Sequence, residues 1–93
     1  MKHHLAIIML SLIRSTNEEK IVFETVKTMS GLNVPIILVD GGSGERQKKY
    51  LRSLPNVDFY ETSRGLRRLS ERLRIAFSEG AKTAEALFYV HSD

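Results

Sequence analysis

Hydrophobic positions along this chain follow two alternating patterns. Leu5 to Leu12 is an unbroken apolar run of the kind buried on both faces of a parallel sheet. Ser15-Thr16-Asn17-Glu18-Glu19 then supplies helix-capping residues with glutamate three positions on, and Val22, Val26 and Met29 recur at helical spacing up to Gly31. Val34 to Val39 predicts a second strand, with Pro35 near its entrance, where a missing N–H is tolerated. Glu45 to Leu54 predicts a short helix carrying Tyr50, Leu51 and Leu54, and Val57 to Tyr60 a third, shorter strand. Leu66, Leu69, Leu73, Ala76 and Phe77 trace one face of a longer helix that Gly80 is expected to close. Ala86 to Val90 predicts the fourth strand.

Strands alternating with helices predict an α/β domain, a three-layer Rossmann-like parallel sheet with right-handed crossovers. In the order 3-2-1-4 the first strand lies between the second and the fourth. Open sheets of this kind bind ligands outside the carboxyl ends of their strands, where the strand order reverses. Asp40 and Asp93, each ending a strand, would share that edge with their strand axes about 10 Å apart, twice the strand spacing. Ser11 and Arg14, ending the first strand, would sit between them.

Composition narrows the function classes. The 93 residues support one small domain with one modest core. Hydrophobic residues at 42% and charged residues at 27% exclude a disordered or fibrous chain. The absence of cysteine excludes a disulfide framework and a thiolate metal site, and it fits a reducing compartment, so a cytoplasmic location is expected. Met1-Lys2-His3-His4 before the first apolar run imitates a signal peptide, but Arg14, Asn17, Glu18 and Glu19 stand where small cleavage-site residues would be needed. The run is also far short of the roughly 20 residues of a membrane helix, so no transmembrane segment is expected. A net charge of +3, with clusters of arginine and lysine, leaves room for an anionic ligand.

Three stretches carry candidate chemistry. Asp40 with Gly41, Gly42, Ser43 and Gly44 has two readings. In one, Asp40 caps the amides of a strand-to-helix turn and glycine supplies positive φ. In the other, the glycines clear space for a ligand and the carboxylate accepts hydrogen bonds from a base or sugar, so that replacing Asp40 by alanine would cost binding and little stability. The known phosphate loops do not fit: there is no G-x-x-x-x-G-K-[ST], and the glycines lack the last position of G-x-G-x-x-G and follow the second strand. The tail His91-Ser92-Asp93 brings a carboxylate to the same edge, where a divalent cation bridging phosphates would want oxygen ligands. Arg64, Arg67, Arg68, Arg72 and Arg74 read as a solvated helix face softened by Glu71 and Glu79, except that Arg64, with Ser63 and Gly65, stands where a diphosphate could meet both guanidinium and helix amides. A nucleic-acid partner is disfavoured, because the arginine helix has no interleaved aromatic stacking set.

Taken together, a first strand, Val39-Asp40-Gly41-Gly42-Ser43 closing the second, Ser63-Arg64-Gly65 opening a helix, and an apolar strand running into His91-Ser92-Asp93 resemble a known family. They are similar to the N-terminal, nucleotide-binding half of the GT-A glycosyltransferases, in particular the large family with the VDxxS pattern. The resemblance implies a partial GT-A fold and a nucleotide-diphosphate sugar as partner. It implies that Asp40 contacts the base and that Arg64 and Gly65 lie near the donor; Ser11 and Arg14, placed at that edge by the strand order, and Gly41, Gly42 and Ser43 of the turn are then expected to line the nucleotide site. The family's D-x-D motif holds ribose and a Mn²⁺ or Mg²⁺ on the diphosphate; here His91 replaces its first acid and Asp93 matches its second.

Residues 1–93 would then form a single nucleotide-sugar-binding domain, the N-terminal fragment of a longer transferase, with no counterpart of the family's acceptor-binding half. Such a chain is expected to bind donor weakly and not turn over. Two alternatives remain open: a small non-catalytic α/β binding module, and a basic nucleic-acid-interacting protein. A response-regulator receiver is disfavoured, because no acidic pair ends the first strand.

Overall fold

The computed structural model describes residues 3–62 and 69–90. It contains strand β1 (His3–Ser11), helix α1 (Thr16–Ser30), strand β2 (Ile36–Asp40), helix α2 (Glu45–Ser53), strand β3 (Val57–Glu61), helix α3 (Leu69–Thr83) and strand β4 (Ala84–Val90). The four strands form one sheet in the order β3-β2-β1-β4 with every pairing parallel, as the alternation predicts. The fold is therefore an α/β, Rossmann-like sheet. Pro35 lies just outside β2, where its carbonyl still accepts a hydrogen bond from Ile7 N at 2.9 Å.

Helices cover both faces of the sheet. On one, Val22 and Val26 of α1 and Leu51 of α2 pack with Ile7, Met9, Ile36 and Leu38. On the other, Ala76 of α3 packs with Ile8, Leu10, Ile37 and Val39. Alternate residues of β1 and β2 thus enter opposite cores, which explains why both strands read as continuous apolar runs. Ser15 caps α1 as expected, its side chain accepting a hydrogen bond from Glu18 N at 3.2 Å.

The third helix departs from expectation in its end and in its face. Gly80 does not close it; α3 continues to Thr83, and Gly80 is buried within it. A Cβ at Gly80 would stand 2.9 Å from Leu87 Cδ2 and 3.2 Å from Ile8 Cγ2, so the missing side chain is what lets α3 approach β1 and β4. Phe77 and Leu69, expected on the buried face, are 48% and 55% exposed. The sheet-facing stripe runs instead through Ala76 and Gly80, one helical turn apart, with Leu73 beside it. Leu66 lies outside the described residues.

The strands differ in how deeply they sit. Every residue of β2 is buried, whereas β4 has only Ala84 buried and leaves Phe88 51% exposed. Candidate chemistry therefore gathers at the carboxyl ends of β1 and β2, the two strands whose positions the cores fix from both sides.

Candidate functional site

Parallel pairing sets Ser11, the last residue of β1, beside Asp40, the last residue of β2. Asp40 is 1% exposed and its carboxylate is fully engaged. Oδ1 accepts hydrogen bonds from Ser11 Oγ at 2.7 Å and Ser43 Oγ at 2.6 Å. Oδ2 accepts from Gly42 N at 2.9 Å and Ser43 N at 2.7 Å. Ser43 Oγ in turn accepts from Ile13 N at 2.8 Å, and Gly41 N donates to Ser11 O at 2.8 Å. One carboxylate thus ties the segment after β1 to the turn after β2. Gly42 turns the chain at φ 134, a backbone conformation that side chains rarely adopt, so a glycine is required there.

This geometry answers which of the two readings Asp40 follows in the folded chain. The carboxylate caps its own turn and leaves no free lone pair for a base. The expectation that Asp40 could be removed at little cost to stability is therefore corrected: four hydrogen bonds depend on it, and it is buried. Its part in any ligand site is to hold the shape of Ser11, Gly41, Gly42 and Ser43. Of these, Gly42 alone is exposed.

Arg14 stands on the same edge and is exposed, with 70% of its side chain accessible. Its backbone N–H donates to Glu18 Oε1 at 2.9 Å and its guanidinium to Glu18 Oε2 at 3.2 Å, so Glu18 shapes the turn into α1 from the inside. The Arg14 side-chain hydrogen bond, followed by the one from its backbone, lowers the Glu18 pKa below its ordinary 4.5. Gln47 and then Arg46 lower that of Glu19 likewise. A depressed folded-state pKa contributes stability that is fully present above the unfolded value and is lost as pH falls through the folded one. The urea midpoint should accordingly drop as pH is lowered below 4.5, and Glu18→Gln should flatten that drop. A profile equally steep in the variant would show that the Arg14–Glu18 contact does not form in solution.

Arg72 reaches the edge from the opposite face, which the sequence reading missed by grouping it with solvated arginines. Its guanidinium lies across Gly41, where a Cβ would come 3.1 Å from Cδ and 3.2 Å from Nε. Nη1 is 3.5 Å from Ser11 O, and Nε is buried without a partner. A signal was present: Arg72, Ala76 and Gly80 are spaced four apart, so Arg72 continues the sheet-facing stripe to the carboxyl edge. Both glycines of the turn thereby have separate reasons, Gly42 its φ and Gly41 the side chain lying on it.

Arg64 and Gly65, expected near a donor, and Asp93, expected to bind a metal, lie outside the described residues, as does His91. Among the described residues no group of three or more His, Cys, Asp or Glu side chains could hold a metal ion. Nor is any described helix long and apolar enough to cross a membrane. At the other end of the sheet an open hollow of about 500 Å³ is lined by His3, Asn33, Pro35, Asn56, Val57 and Asp58. No family model matches the chain, and no curated protein or solved structure matches it.

Proposed function

We propose that this chain is the donor-binding portion of a glycosyltransferase and holds a nucleotide-diphosphate sugar against the carboxyl ends of β1 and β2. The observation that supports this reading most is the Asp40-centred tie, which stiffens the backbone after both strands at the edge where open parallel sheets take ligands. Preorganised backbone reduces the ordering cost of binding. Exposed Gly42 offers a surface without a side chain, and exposed Arg14, ion-paired with Glu18, offers a cation in the segment after β1.

Sugar transfer needs charge compensation on the leaving diphosphate and a base for the acceptor hydroxyl. Arg14 and Arg64 are candidates for the first role. Asp40 does not fit the second, because both of its oxygens already accept hydrogen bonds. The chain alone should bind donor without turning it over. A divalent cation would have Asp93 as its candidate protein ligand, and one carboxylate should hold Mn²⁺ or Mg²⁺ only together with the diphosphate.

The alternative of a small non-catalytic binding module is favoured by one observation, that every bond of the Asp40 carboxylate is internal. The nucleic-acid alternative is weaker, because many cations of the helices face acids: Arg46 with Glu19, Lys48 with Glu45 and Glu61, Arg52 with Glu61, and Lys82 with Glu79. Calorimetric titration with a panel of nucleotide-diphosphate sugars, with Mn²⁺ and with chelator, separates the readings. Weak donor binding strengthened by Mn²⁺ is expected for the transferase portion. Binding of no member of the panel in either condition would leave the binding module.

A further inference from the structure

We infer that Arg72 is the anion-binding residue of the carboxyl edge and takes a phosphate oxygen of the ligand; the identification of that anion as a diphosphate rests on the function proposed above. Three observations on one side chain lead there. Arg72 is held in place by packing, since its aliphatic stem and guanidinium lie on Gly41 and its helix is fixed to the sheet through Ala76 and Gly80. Among the described residues, two of its nitrogens find little or no acceptor. The contact from Nη1 to Ser11 O is 3.5 Å, at the outer limit of a hydrogen bond, and Nε is buried with no acceptor. Its charge is also uncompensated by any ion pair among the described residues, in contrast to Arg14, Arg46 and Arg52.

A guanidinium has five N–H donors in a planar fork that matches two oxygens of a phosphate. Leaving Nε buried and unpaired is unfavourable, and an anion seated at the ends of β1 and β2 would compensate the charge of the guanidinium that carries it. Asp40 cannot serve as the counter-ion without giving up its own turn, because its oxygens hold Ser11, Gly42 and Ser43. The tie and the cation therefore divide the work: Asp40 shapes the lip, and Arg72 supplies charge over it. Gly41 is the seat of the cation, because a Cβ there would come 3.1 Å from Arg72 Cδ and 3.2 Å from Nε and make that side chain shift.

The experiment is calorimetric titration of the 93-residue chain with inorganic pyrophosphate, uridine diphosphate and uridine, for the wild type, Arg72→Met, Arg72→Lys and Gly41→Ala. Arg72→Met should weaken pyrophosphate and the diphosphate by about ten- to a hundredfold, as loss of a charge-assisted hydrogen bond implies, and leave uridine unchanged. Arg72→Lys should recover part of the affinity, since it keeps the charge and loses the fork. If Arg72→Met does not fold, Gly41→Ala still tests the placement, because it displaces the guanidinium without removing it; severalfold weaker pyrophosphate binding is expected. Wild-type affinity for pyrophosphate in either Arg72→Met or Gly41→Ala, or no pyrophosphate binding by the wild type, overturns the inference. Pyrophosphate binding that depends on Arg72, in a chain that takes no nucleotide diphosphate, upholds the anion site and removes the nucleotide reading instead.

Discussion

Asp40→Ala is expected to destabilise the domain by about 3–4 kcal/mol, a large share of the roughly 5–15 kcal/mol that holds a small domain together. The substitution removes the acceptor for two hydroxyls and two amides at once. Ser11 and Ser43, whose donors would be stranded, are 1% and 5% exposed, so water does not readily replace the lost partner. The melting temperature should fall by roughly 15–25 °C for a domain of this size. Asp40→Asn keeps one acceptor oxygen and loses the charge, so it should fall about half as far. A solvated turn residue would shift stability by under about 0.5 kcal/mol. Thermal unfolding of the two variants therefore decides whether Asp40 holds the fold of the edge or merely decorates it, before any ligand is added.

Gly80→Val is the second large effect. At this position a Cβ would already be 2.9 Å and 3.1 Å from the two methyls of Leu87 and 3.2 Å from Ile8. Valine adds two further methyls to a space in which even one requires Leu87 to shift, and overpacking of that kind costs about 1–3 kcal/mol. Restricted χ1 freedom in a helix gives no compensation. The unfolding free energy should drop by roughly 2–3 kcal/mol. Gly80→Ala is the informative control, because it gains about 0.8–1 kcal/mol of helix propensity while meeting the same two neighbours. Its net effect should be much smaller than that of valine, since the Leu87 methyls are the far end of a flexible side chain. Equal stability of the valine variant and the wild type would mean that α3 does not pack this closely on β1 and β4.

The same two residues show how far the fold can be read from the chain. Apolar runs alternating with helical periods are enough to lay out β1 through β4, most plainly β1 and β2, whose consecutive positions enter opposite cores, while the order 3-2-1-4 comes from the Rossmann-like topology that such an alternation suggests. Gly80 could not be read that way. A glycine late in a helical pattern looks the same whether it ends the helix or lets it approach a neighbour. The contact that decides, with Leu87 and Ile8, joins positions far apart in pattern or on another strand.

The candidate site divides similarly. Val39-Asp40-Gly41-Gly42-Ser43 announces a turn with an acid at the end of a strand, and both of its readings were visible. What selects between them is the pairing of Ser11 with Asp40, a consequence of register along β1 and β2 that no local motif contains. Arg72 was obscured by its neighbours: five arginines fall between positions 64 and 74, and the four-residue phase leading to Ala76 and Gly80 marks Arg72 and Arg68 alike, so the pattern by itself does not single Arg72 out.

Ligand binding at the carboxyl edge is tested most directly by amide chemical-shift mapping. A ¹⁵N-labelled chain is titrated with uridine and guanosine diphosphate sugars in the presence of Mg²⁺, and the amides of Arg14, Gly41, Gly42 and Ser43 are followed together with those of His3, Asn33 and Asn56 at the opposite edge. Donor binding as proposed moves the first group in a saturable manner and leaves the second still. Shifts confined to the hollow around His3, Asn33 and Asn56, or no saturable shift with any donor, would contradict it.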